Sequence, residues 1–446
     1  MQESIKVGLI GFGIVGSGTA RILLEQQQLL SARAQIPIEL AVICDKDITS
    51  DRGFSVPSNL LTTNVDDILK NPEISIVIEL IGGIEPAKTF ILEAINQKKH
   101  VVTANKALLA THGPELFGAA AKNNVEIGFE ASVGGGIPVI KSVKEGLVAN
   151  NIHTVMGIMN GTANYILSRM TEEGLPFDVV LKDAQAHGYA EADPTYDIEG
   201  IDTAHKLAIL ANLAFGVSTT LDDVDIEGIS RLSPIDMAFA KELGYHIKLL
   251  AIGRALDDGI ELRVHPTMVP LNHLLAQIDG AYNGFYFIGD SVGKILLYGM
   301  GAGQMPTGSA VVSDVVDIAR NIRMAALNRV PCLGLPFDKL LPLKKRPMNI
   351  LSGRYYFRFS AVDQPGVLAR IAGVLAEHSI SIASVVQKGR GTDESVPIVM
   401  LTHEAKEENV QKALTKIDNL DIVQDRTVVI RIEDLKSLED AALGGL

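Results

Sequence analysis

Apolar and polar positions alternate in two rhythms along this chain, and the change of rhythm separates its parts. In the first 130 residues, short apolar runs at Lys6–Ile10, Glu39–Ile43, Ile74–Leu80, His100–Thr103 and Val125–Phe129 are separated by helical patterns such as Ile14–Leu30 and Pro86–Lys98. Parallel strands need a crossover helix, so this order predicts βαβ units and a doubly wound α/β sheet over residues 1–130. From 131 to 340 the pattern is mixed, with helical stretches at Asp202–Phe215 and Ser233–Leu243 and strand-like runs at His153–Met159, Lys248–Arg254 and Glu261–Met268. It predicts an α+β second domain whose glycine-rich segment Gly284–Gly308 folds back towards the first. Residues 341–353 read as a linker. Beyond it, Arg354–Ala361 alternates like a half-buried strand, and the turn Asp363-Gln364-Pro365-Gly366 leads into a helix with Val367, Ile371, Val374 and Leu375 on one face. Strand patterns at Val396–Leu401 and Val428–Ile432 flank a charged helix, Ala405–Ile417. The order predicts a compact βαββαβ unit over 354–433, followed by a tail, 434–446.

Composition keeps the whole chain in the globular class. Hydrophobic residues make up 47% and charged residues 21% of 446, which leaves no room for extended disorder. A net charge of −13 without any Lys/Arg stripe argues against nucleic acid or an anionic membrane as partner. The one basic run, Lys344-Lys345-Arg346-Pro347, reads as a solvated linker. Two cysteines, Cys44 and Cys332, exclude a disulfide framework and argue against a cysteine-built metal site. Cys44 reads as a small buried filler. Met1 to Ile5 runs straight into a strand pattern, and no stretch approaches the roughly 18 apolar residues that span a bilayer. A cytoplasmic location is the expectation.

The first strand runs into Gly11-Phe12-Gly13-Ile14-Val15-Gly16, a G-x-G-x-x-G turn opening a helix. In that context Gly11 permits the tight turn, Gly13 lets the backbone approach a pyrophosphate, and Gly16 lets the helix pack close to the strand. Free N–H groups at the helix start, those of Ile14 and Val15 among them, face the anion. Asp45 ends the second strand, where a carboxylate accepts from the ribose hydroxyl of NAD and repels the 2′-phosphate of NADP. Lys46 beside it would do the opposite, so NAD and NADP both stay open.

Hydride transfer needs an oriented carbonyl, stabilisation of its developing oxyanion and a proton source. The segment Gly188 to Lys206 concentrates suitable groups. Asp202 and Lys206, four apart, share one face of a helix. Alone, that spacing describes a surface ion pair; the apolar run Leu207–Leu213 after it and the acidic loop before it point inward instead.

Gly188-Tyr189-Ala190-Glu191-x-Asp193-Pro194, with Asp197, Gly200, Asp202 and Lys206 at fixed spacing, resembles the homoserine dehydrogenases. Further landmarks agree: Glu79-Leu80-Ile81-Gly82-Gly83, Thr103-Ala104-Asn105-Lys106, Glu130-Ala131-Ser132-Val133-Gly134-Gly135-Gly136-Ile137-Pro138, Asn160-Gly161-Thr162 and Gly301-Ala302-Gly303-x-x-Pro306-Thr307. The resemblance covers about residues 5–325. It implies an NAD(P)-binding Rossmann domain (1–130) and a substrate-binding, catalytic and dimerisation domain (131–340), in a homodimer or homotetramer that interconverts aspartate semialdehyde and homoserine. Lys206 is then the proton donor, Asp202 orients it and touches the substrate hydroxyl, and Lys106 binds near nicotinamide and substrate and can share the acid–base role. Glu191 holds the substrate ammonium, with Gly188, Tyr189, Asp197 and Thr162 lining the pocket, and Thr103 and Gly303 near the nicotinamide. A monovalent cation, usually sodium, is implied on the segment matching Glu130, Val133, Gly135 and Ile137, held largely by main-chain oxygens. Many relatives carry an arginine after the second strand for the 2′-phosphate; Cys44-Asp45 stands here instead.

Residues 354–433 resemble an ACT domain, a ferredoxin-like fold that implies amino-acid binding at the Asp363–Leu368 turn, with threonine the expected feedback inhibitor. A tail that only builds an oligomer interface is the other reading. Among rivals, an aspartate-semialdehyde dehydrogenase needs a cysteine nucleophile that neither Cys44 nor Cys332 is placed to supply. A non-catalytic dinucleotide and amino-acid sensor has no need of Lys106, Glu191, Asp202 and Lys206 together.

Overall fold

A computed structural model describes residues 4–387 and 396–433; the expected tail, 434–446, lies outside them. The chain forms two compact units that interleave along the sequence: 1–161, 202–224 and 281–343 in one, and 162–201, 225–280 and 344–446 in the other.

In the first unit, six strands β1 (Ile5–Ile10), β2 (Ile38–Cys44), β3 (Leu61–Thr62), β4 (Ile74–Glu79), β5 (His100–Thr103) and β6 (Ile127–Gly128) pair in the order β3-β2-β1-β4-β5-β6, all parallel. The order reverses between β1 and β4, and ligands of doubly wound sheets bind in the crevice beyond the strand ends at that switch point. Apolar residues run nearly unbroken through β1, β4 and β5 because both faces of a parallel sheet are covered. The expected helix Ile14–Leu30 is two, Ile14–Glu25 and Gln27–Ala34, broken at Gln26.

The same unit holds an antiparallel set, Ile152–Ile158, Tyr282–Gly289 and Gly293–Met300, with Tyr282–Gly289 in the middle. The helix Gln304–Arg323 follows and packs into the core of the doubly wound sheet, Val311, Val315 and Ile318 joining Ile5, Val7 and Leu9. It comes close enough that a Cβ on Gly18 would lie 2.3 Å from the Gln304 carbonyl oxygen.

The second unit is built on a long hairpin, Tyr245–Leu256 with Gly259–Pro270, and on four antiparallel strands in the order Val423–Ile432, Ser352–Ala361, Val396–Thr402, Ile382–Gln387. With the helices Val367–Glu377 and Glu407–Ile417 these four make the expected βαββαβ unit, packed around Tyr355, Phe357, Phe359, Ile371 and Leu375. Its strand Ile382–Gln387 sits at the edge and alternates between half-buried and exposed, so no strong apolar run announces it.

The basic run is not a solvated linker. Ile260 N–H donates to the Lys344 carbonyl (2.9 Å) and Arg346 N–H to that of Ile260 (2.8 Å), so the run extends the hairpin edge. Lys345 pairs with Asp225, and Arg346 with Asp258 and Glu261.

Candidate active site

The glycines of the first turn do different physical work. Gly11 has φ +101°, and a Cβ there would lie 2.6 Å from the Leu80 carbonyl; one on Gly16 would lie 2.0 Å from the Gly11 oxygen. A Cβ on Gly13 would meet nothing within 4 Å. Gly11 and Gly16 thus serve the fold, whereas Gly13 leaves open space in front of the helix start. Ile14, first in that helix, is 74% exposed, and the turn is anchored by Gly11 N–H on the Cys44 carbonyl (2.8 Å).

Asp45 lies at the end of β2 as expected, but its carboxylate is also a turn brace, accepting Phe12 N–H (2.5 Å) and Asp47 N–H (2.9 Å). Arg52 was missed by sequence reasoning. Its guanidinium stacks over the Phe12 ring, 5.3 Å from the centroid, and bonds Asp47, bringing a cation to the side of the turn where the relatives' arginine was expected.

At the ends of β4 and β5, Glu79 accepts the Thr103 hydroxyl (2.7 Å) and the N–H groups of Ile81 and Gly82. Burial raises its pKa against these bonds. Thr103 Oγ1 in turn accepts Asn105 N–H, Asn105 Nδ2 donates to the Gly83 carbonyl, and Asn105 Oδ1 caps the helix Lys106–Asn123 at Leu108 N–H. This clasp fixes where Lys106 starts.

Lys106 reaches Asp202. Its Nζ lies 2.9 Å from Asp202 Oδ1, while Lys206 Nζ lies 2.7 Å from Oδ2. Asn160 Nδ2 donates to that same Oδ2 (2.8 Å), and Lys206 also donates to the Met159 carbonyl (2.5 Å). Asp202 and Lys206 sit on the helix Ile201–Phe215, buried from Asp202 to Asn212. Burial alone would push the Asp202 carboxyl up; the ammonium groups of Lys206 and Lys106 outweigh it and hold the carboxyl well below the usual carboxylate range. The bland reading of the i,i+4 pair as a surface bridge is therefore excluded. Exposure divides the two lysine side chains, 8% for Lys206 and 43% for Lys106. Asn160 and Glu79 were missed as site residues, although both stand in motifs that the resemblance picked out.

In the second unit, Thr162 Oγ1 donates to the Tyr189 carbonyl (2.5 Å), and the Tyr189 ring stacks on Tyr165 at 4.7 Å. Gly188 takes φ +74°, and Gln185 Nε2 donates to the Glu191 carbonyl (3.0 Å). Asp197 lies in the short helix Thr195–Ile198. Thr162, Gly188, Tyr189 and Glu191 are thus knit into one loop system.

The segment from Glu130 forms a tight turn in which a Cβ on Gly135 (φ +58°) would lie 2.3 Å from the Gly301 oxygen. Both Glu130 carboxylate oxygens accept N–H groups, from Ile140 and Lys141, and the Ile137 carbonyl accepts Val139 N–H. Burial, with Asp314 beside it, raises the Glu130 pKa to about 7. Gly303, at φ +123°, precedes the helix Gln304–Arg323. Cys332 Sγ accepts Ile127 N–H (3.3 Å), and burial raises both thiols, which disfavours the thiolate that a nucleophile needs.

A doubly wound dinucleotide fold carrying an ionised carboxylate between two lysines, one of them rooted beside the switch point, defines a nicotinamide-dependent oxidoreductase. Residues 11–130 match the NAD-binding domain of homoserine dehydrogenase, 138–316 homoserine dehydrogenase itself, and 355–421 the ACT domain. The chain is 45% identical to the homoserine dehydrogenase of Pseudomonas aeruginosa over 97% of its own length and 100% of that protein's. It is 44% identical to the Neisseria gonorrhoeae enzyme at the same coverage. A homoserine dehydrogenase structure from Thiobacillus denitrificans superposes with a TM-score of 0.91 at 48% identity, covering 97% of this chain and 99% of that one. This chain belongs to the homoserine dehydrogenase family: an NAD(P)-dependent oxidoreductase with a C-terminal ACT domain. The sensor reading is not favoured.

Proposed function

We propose that Asp202 and its two lysines form the acid–base centre that reduces L-aspartate 4-semialdehyde to L-homoserine. The observation carrying this is a buried carboxylate bridged to Lys106 on one oxygen and Lys206 on the other. A nicotinamide cofactor, when bound, would supply the hydride that reduces the aldehyde. Lys206 donates the proton to the resulting alkoxide oxygen, its ammonium aimed by the bond to Asp202. Lys106 stabilises negative charge on the same oxygen. Glu191 holds the substrate ammonium, and Gly188, Tyr189, Asp197 and Thr162 line the pocket. Gly11, Gly13, Ile14, Val15 and Gly16 hold the pyrophosphate, with Thr103 and Gly303 at the nicotinamide.

The test is Lys206→Ala, assayed by nicotinamide absorbance with aspartate semialdehyde as substrate. Turnover falls about 10²–10⁴-fold, the usual worth of a general acid, while cofactor affinity stays. Undiminished turnover would remove Lys206 from the role.

The cofactor end supports use of both NADH and NADPH: Asp45 disfavours a 2′-phosphate and Arg52 favours one. Asp45→Asn moves the kcat/KM ratio towards NADPH and Arg52→Ala moves it towards NADH. A sodium ion belongs on the main-chain oxygens of the Glu130, Val133, Gly135 and Ile137 segment, whose glycines make such a backbone accessible; replacing sodium by lithium tests it. Threonine is the expected effector of the ACT domain, the oligomer a homodimer or homotetramer, and the compartment the cytoplasm.

A further inference from the structure

The sheet that carries the cofactor turn beyond the C-terminal end of β1 has a cavity at the opposite ends of its strands. It has a volume of about 660 Å³ and lies at the starts of β4 and β5, among Ile74, Lys99, His100 and Asn124. That size falls within the range of small-molecule sites. Three lysines, Lys70, Lys98 and Lys99, and one histidine line it, and no Asp or Glu does, although acids outnumber bases 53 to 40 in this chain.

The two innermost groups are both more than nine-tenths buried. Lys99 Nζ donates to the carbonyls of Asn71 (2.5 Å) and Ile74 (2.9 Å), which leaves one of its three donors unspent. No carboxylate pairs with it among the described residues. Burial lowers its pKa, and no neighbouring acid opposes this. A buried ammonium without a counter-ion is costly, and two carbonyls could be tied by a neutral amide instead. His100 Nδ1 accepts the Glu126 N–H (3.0 Å), so the proton of the neutral ring sits on Nε2. Burial brings the ring's pKa down to about 4, which keeps it in that neutral form. His100 Nε2–H has no partner among the described residues. Lys98 on Asn123 and Lys70 on Asp66 stand at the rim.

We infer that this cavity binds an anionic small molecule, one carrying phosphate or carboxylate groups, between the Lys99 ammonium, the His100 Nε2–H and the rim lysines. It is separate from the dinucleotide turn, which lies at the opposite, C-terminal ends of the strands. An occupant would brace the strand β5, whose far end holds Thr103 and the clasp that sets Lys106.

The test is calorimetric titration of the full-length enzyme saturated with NADPH, so that the cofactor turn is already filled, using inorganic pyrophosphate in one arm and citrate in the other. One equivalent per chain should bind in at least one arm, and the tighter arm identifies the group recognised. Lys99→Met risks the fold, so the exposed pair Lys70→Ala/Lys98→Ala carries the test: affinity drops tenfold or more, with turnover retained as the folding control. Absence of binding in both arms, or equal affinity in the double variant, would overturn the inference.

Discussion

At the scale of single residues, the centre rests on Asp202, which lies buried between two positive charges. A carboxyl held below its unfolded value contributes stability that is complete above the unfolded pKa, about 3.9. That stability is lost as the pH falls through the folded value. Urea unfolding followed downward from about pH 6 should therefore show a loss of stability on the acid side that Asp202→Asn lacks. At neutral pH the same variant leaves two ammonium groups uncompensated, one of them buried, and should cost about 3–5 kcal/mol. Equal acid sensitivity in the two proteins would mean that the carboxylate is not held as described. Sequence reasoning reached Asp202, Lys206 and Lys106 through motif spacing. It did not reach Asn160, because an asparagine 42 positions away in sequence gives no periodic signal that it will meet Asp202. Arg52 escaped for a related reason: a long side chain in a loop can return to Phe12 from a position no spacing rule marks.

Elements show which glycines are structural. Gly16→Ala forces a Cβ against the Gly11 carbonyl and should lower the melting temperature as well as cofactor affinity. Gly13→Ala, at φ −74° with open space around it, should leave the melting temperature unchanged and raise KM for the dinucleotide by tenfold or more. A thermal melt beside a cofactor titration separates the two, and a destabilised Gly13→Ala would contradict the assignment. In the ACT strand Ser352–Ala361, Tyr356 and Arg358 both bind Asp236, a fully buried acid that also caps its own helix through Ser233. Removing Arg358 leaves that charge with neutral partners only, so Arg358→Ala should destabilise by about 3–5 kcal/mol in chemical denaturation. Five of the six strands of the doubly wound sheet were legible because burial on both faces makes continuous apolar runs; the two-residue β3 is too short to show one. The edge strand Ile382–Gln387 was not, because it turns polar Ser384 to its half-buried face and exposes Val385, so its residue types do not alternate with burial.

For the whole molecule, the division into compact units cuts across the order of the chain. The ACT domain shares its unit with the loop system of Thr162, Tyr189 and Glu191, an arrangement invisible to a reading that partitions the sequence into consecutive blocks. Within that unit Arg431, on the last ACT strand, grips Glu227 through two bonds of 2.9 and 2.8 Å and also binds Glu407. Two residues past Glu227, Ile229 N–H donates to the carbonyl of Ile198, next to Asp197. Regulation requires an effector to favour one arrangement of such a path over another. With threonine as the proposed ACT-domain effector, Glu227→Gln should weaken inhibition by it at least fivefold while threonine still binds. An unchanged inhibition curve would show that the signal takes another route.

The unequal exposure of the two lysines has a practical consequence for labelling. An amine-reactive ester in dilute solution meets the side chain of Lys106 at 43% exposure and that of Lys206 at 8%, so acylation should mark the first long before the second. Peptide mapping after brief treatment would then read the Asp202 cluster as a footprint. Protection of Lys106 on adding homoserine and oxidised cofactor would report occupancy of the site without any turnover, and would do so equally well in variants too slow to assay.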